Sequence, residues 1–229
     1  MRHRANFAVG LLLCTAPLVV VPSAFAATDI VSIDQKLSEN GLKGCHHSGF
    51  PIQICDSGSY RLDSNLILSA YDTDAIQISA DNVTLDLNGF TISGPWVPGG
   101  THFFGTGVYS PNSNITIRNG KLTGFPQGIF VKGANEFVEL VTVSGNYYGI
   151  DSWGDSTFVD RATATHNTFA GVVLYGSGMV TNSLVSSNGQ GIYIGGAGGY
   201  GANTIINNSS ADAVGGTSMG TNVCSSGKC

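Results

Sequence analysis

A chain of 229 residues with 32 glycines, only 11% charged side chains and a formal charge of −5 is poor in charge and rich in the smallest residue. That balance excludes a charged disordered tail, and its acidic sign excludes a surface built for phosphate backbones, so no nucleic-acid partner is expected. The length suffices for one domain with a sizeable core.

Residues 1–26 carry the three zones of a secretory signal: Arg2 and Arg4, a mostly apolar stretch from Gly10 to Val21, and Ala24-Phe25-Ala26 before the cleavage point. Pro17 and Pro22 interrupt the apolar run, which is therefore read as cleaved and not as a membrane anchor. Cys14 follows Leu13, where a lipidation signal needs a small side chain. The ten basic residues lose Arg2 and Arg4 on cleavage, leaving eight against 15 acidic and a mature charge of −7. That charge disfavours a strongly acidic polysaccharide unless a cation bridges it.

Residues 27–57 form a capping segment in which Ile30, Ile33, Leu37 and Leu42 fall partly at helical spacing. Export to a secreted or periplasmic location leaves Cys45, Cys55, Cys224 and Cys229, an even count that predicts two local disulfides, Cys45 with Cys55 and Cys224 with Cys229. Each contributes about 2 to 3 kcal/mol by loop closure. His46 and His47 are adjacent and not at ligand spacing, so neither a metal nor another cofactor is expected.

Residues 58–215 repeat. Small residues precede a β-branched or apolar one at Gly107-Val108, Gly128-Ile129, Gly149-Ile150, Gly171-Val172, Gly191-Ile192 and Ala213-Val214, at intervals of 21, 21, 22, 20 and 22. Ala75-Ile76 lies 32 residues before the first pair, the excess being the Gly/Pro-rich insertion from Gly94 to Gly105. Asn146, Asn167, Asn188 and Ser210 keep a second register, as expected of corner residues that accept left-handed angles and bond to the turn above. Between corners the residues alternate, as in Val83-Thr84-Leu85-Asp86-Leu87. The period is too short for propeller blades and lacks the Leu ladder of leucine-rich repeats. An all-β, right-handed parallel β-helix of about six turns plus a partial one is predicted, closed by a C-terminal segment over 216–229.

The segments Gly58–Leu66, Asp74–Ile78 and Asn82–Gly94 resemble the opening turns of exported bacterial right-handed parallel β-helix proteins of the pectin-lyase-like superfamily. The resemblance implies that any chemistry lies on one long face, around the strand after the repeated glycine. Outward positions there are Gln77, Tyr109, Phe130, Asp151, Val173 and Tyr193, then Ser79, Pro111, Lys132, Trp153, Tyr175 and Gly195. Tyr109, Phe130, Trp153, Tyr175 and Tyr193 would line one surface of roughly 20 Å, with turns about 4.8 Å apart. Such a row suits stacking on sugar rings of a polysaccharide or cell-surface glycan; it also suits a second small core or a sheet-packing ladder.

Asn146-Tyr-Tyr-Gly-Ile-Asp151 resembles the Asn-x-Asp-Gly signature of polygalacturonases in outline, but Tyr148 stands where the acid belongs. Two carboxyl groups are needed for ordinary glycoside hydrolysis, and Asp151 is alone among the outward positions unless Asp155 curls back. Lys132 or Tyr148 beside Asp151 is instead the set a lyase would use, with a proton acceptor and a neutralising group. The insertion, with Trp96, His102, Phe103 and Phe104, either walls or plugs this face. The reading is a secreted β-helix engaging carbohydrate along an aromatic face, the alternative a polysaccharide-modifying enzyme.

Overall fold

The computed structural model describes residues 29–42, 45, 48–225 and 229; the predicted signal over 1–26, with Cys14, lies outside them, as do His46 and His47. The alternating segments form 21 short strands, paired throughout in parallel, and the sole helix among the described residues is Leu37–Asn40. A full turn has three faces. Gln127–Val131 lies on the first, and Glu136–Ser144 supplies the other two because it bends at Leu140, whose φ is 55°. Glu136 to Glu139 pair with Thr157–Asp160, and Thr142 to Ser144 pair with Thr163–Thr165.

On the first face eight rungs stack from Ile52–Ile54 to Ala211–Ser218. Ile76, Val108, Ile129, Ile150, Val172 and Ile192 point inward with no exposed surface. Each such side chain contributes about 1.5 to 3 kcal/mol by burial.

The glycine row is in register, and sterics explain it. A Cβ on Gly128 would lie 2.7 Å from the Gly149 carbonyl oxygen, and one on Gly149 would lie 2.5 Å from that of Gly171. Behind this row runs an amide ladder. The Asn146 backbone N–H and Nδ2 donate to Asn167 Oδ1 at 3.1 and 3.2 Å, and Asn167 donates in the same way to Asn188 Oδ1 at 2.9 and 3.0 Å. The next rung is Asn208 and not Ser210, because the intervening turn is a residue shorter. Left-handed angles fall one residue before each ladder asparagine, on Gly145, His166, Ser187 and Asn207, and not on the asparagines themselves. The ladder asparagines therefore act through their amides.

Pairing also begins before residue 58. Val31–Ile33 lies against Gly58–Leu62 and Ile52–Ile54 against Ile76–Ile78, so the capping segment contributes strands as well as its one-turn helix. Cys45 is bonded to Cys55 and Cys224 to Cys229, stapling the two ends.

Candidate functional site

The rung register places Gln77, Tyr109, Phe130, Asp151, Val173 and Tyr193 in one column. The rings of Tyr109, Phe130, Trp153, Tyr175 and Tyr193 form an unbroken chain, with successive centroids 5.6, 5.5, 5.8 and 5.6 Å apart. Trp153 is 56% exposed and Tyr175 47%, so the middle of the stripe is open to solvent. The Lys132 ammonium lies over three of the rings, 4.9 Å from the centroid of Phe130, 5.2 Å from Trp153 and 5.7 Å from Tyr109. These are cation–π distances. Arg61, Arg118 and Arg161 each touch a carboxylate, whereas no carboxylate among the described residues reaches Lys132 within ion-pair distance.

Asp151 belongs to the outward column but lies beneath the stripe, only 3% exposed. Gln127 Nε2 donates to its Oδ2 at 2.9 Å, and Oδ1 is buried with no donor. Burial pushes its carboxyl up to about 6, against the pull of the Gln127 amide, of the Trp153 indole, which is near but outside full hydrogen-bond geometry, and of the Lys132 charge. Tyr148, in register with Gln127 and Ala170, is pushed up to about 12 by burial and then by the negative charge that Tyr175, Asp151 and Tyr147 can carry. Asp155 does not turn toward Asp151. Its Oδ1 accepts from the backbone N–H and hydroxyl of Ser177 at 3.0 and 3.2 Å, across the corner to the next turn.

A second aromatic group, missed in the sequence, borders the stripe. Tyr147 packs on Phe169 at 5.3 Å and on Tyr148 at 5.0 Å, and receives the edges of Trp96 at 6.1 Å and Phe103 at 6.3 Å. Gln127 was missed too; it stands directly before a repeated glycine, the same position as Tyr148, which would have found it. The insertion walls the face and does not plug it. Trp96 is buried, His102 bonds Asp72 at 2.9 Å, and Phe103 and Phe104 border an open depression of about 310 Å³ with Thr106, Tyr109, Phe130 and Lys132.

The family described as "Periplasmic copper-binding protein (NosD)" matches residues 99–227, more than half of the sequence. The chain belongs to the NosD family. Its matched region covers every ring of the stripe, Lys132 and Asp151. Among solved structures it is similar to the A-module of the Azotobacter vinelandii mannuronan C-5 epimerase AlgE4, at 13% identity and a TM-score of 0.31, over 80% of this chain and 68% of that one. No curated protein matches. This NosD family chain has, among its described residues, no helix long and apolar enough to cross a membrane, and no three His, Cys, Asp or Glu side chains converge.

Proposed function

We propose that this member of a periplasmic family binds an extended carbohydrate lengthwise along its aromatic face. One observation carries the reading: five rings in continuous contact, open at Trp153 and Tyr175, with an ammonium over the first three. Flat apolar faces suit sugar rings, and Lys132 adds a donor for hydroxyl or acidic substituents. Secretion and the roles of the individual rings belong to the same proposal.

A polysaccharide-modifying activity, lyase before hydrolase, is the second reading, favoured by the raised carboxyl of Asp151 beside Tyr148 and Lys132. Two features weigh toward binding alone. Asp151 is covered, and a phenol held near 12 is a poor proton acceptor at neutral pH. Copper is named in the family's description, but the donors of the described residues do not fit it: the four cysteines outside the signal are disulfide-bonded and no metal-sized cluster of side chains forms.

A glycan array probed with the mature protein tests the proposal, with Trp153→Ala as the control and product analysis of each hit. Binding weakened in the variant is expected. Binding unaffected by Trp153→Ala and Tyr175→Ala removes the face from consideration, and an ultraviolet-absorbing unsaturated product moves the choice to the lyase.

A further inference from the structure

We infer that the solenoid of this chain is a copper-free member of its family, its candidate donors being spent on other bonds or held apart. Copper(I) selects thiolate and thioether ligands and copper(II) imidazole, and several must meet at one point. Among the described residues no thiolate remains, because Cys45, Cys55, Cys224 and Cys229 are joined as two disulfides. The two described imidazoles occupy different parts of the fold. His102 belongs to the insertion, where it bonds Asp72 at 2.9 Å and stacks on Tyr71 at 4.1 Å. His166 stands exposed at a left-handed corner among Asn167, Thr168 and Ser187.

The strongest remaining donors are thioethers. Met179 pairs in register with Gly199, and the sulfur of Met219 lies 3.1 Å from where a Cβ on Gly199 would stand, so both flank one glycine on the second face. Neither imidazole belongs to that face, and two thioethers alone make an incomplete set for a soft ion. The carboxylates do not compensate, being hard donors that favour other metals.

The test uses the mature, oxidised protein, with a thiol count on the same sample to show that both disulfides are intact. Copper(I) is offered anaerobically as its bicinchoninate complex, whose absorbance reports any transfer, and copper(II) is followed by electron paramagnetic resonance. The expected result is that the chelator keeps its copper and that desalted protein carries a substoichiometric amount. Uptake abolished by the double substitution H46A/H47A, with an unchanged melt, assigns the metal to residues outside the described solenoid and leaves the inference standing. One copper per chain that survives H46A/H47A overturns it. Loss of that copper on Met179→Leu with Met219→Leu would then assign the site to the second face.

Discussion

Trp153 and Tyr175 have about half of their surface in solvent, so truncating either removes contact area from the stripe without opening a core cavity. Trp153→Ala and Tyr175→Ala are each expected to weaken glycan binding about tenfold, a change of roughly 1.4 kcal/mol, while the melting temperature moves by only a few degrees. Isothermal titration beside thermal melts checks both halves; a large loss of stability would make the rings core. Glu136 behaves differently. It has no exposed surface and neither carboxylate oxygen meets a donor in full hydrogen-bond geometry, so burial pushes it up to about 8, with the nearby Ile115 backbone N–H only partly opposing and Asp81 reinforcing the shift. The unfolded chain ionises this group near its ordinary 4.5. The stability it contributes is therefore intact below that value and is lost as the pH climbs through 8. Glu136→Gln keeps the neutral shape, so its melting temperature should exceed the parent's by several degrees above that range and nearly match it in acid. Equal melting temperatures in alkali would show that Glu136 is solvated or paired.

The asparagine ladder joins three consecutive turns through buried amides, and Asn167 both donates and accepts within it. Asn167→Ala strips the acceptor from two Asn146 donors and leaves the Val143 carbonyl short, at a cost of about 2 to 4 kcal/mol. Ser210→Ala should cost almost nothing by comparison, and urea melts of the pair measure the difference. Both the ladder and the glycine row were legible because each demands a residue type that few others replace. Interval counting points to Ser210 as the rung in place of Asn208 because it cannot locate a turn that is one residue short. The rung Ile52–Ile54 escaped notice because Pro51 stands where later turns carry glycine or alanine. A second ladder from Ser183 through Asn203 to Asn222 also went unread, since it follows a different corner. The aromatic stripe was visible because strand alternation and the turn period together set which side chains share a column. The covering of Asp151 was not, because it depends on how side chains of the neighbouring turns fold across it.

At the scale of the whole molecule, the two disulfides close the ends of a stack whose terminal strands have one unpaired side each. Replacing Cys45 and Cys55 by serine is expected to cost about 2 to 3 kcal/mol, or roughly 5 °C or more in melting temperature. Hydrogen exchange of the double variant should quicken first at Val31–Ile33 and Ile52–Ile54, the strands nearest the lost bond. Exchange that quickens uniformly would mean that the ends are not separate units of stability. The chain has two tryptophans, and their surroundings are opposite: Trp96 is 5% exposed within the insertion and Trp153 is 56% exposed on the stripe. Iodide therefore reaches one indole and not the other, and a ligand shielding Trp153 shifts emission to the blue while unfolding, by wetting Trp96, shifts it to the red. The protein thus carries its own pair of fluorophores, one reporting occupancy and the other integrity, in a single unlabelled spectrum.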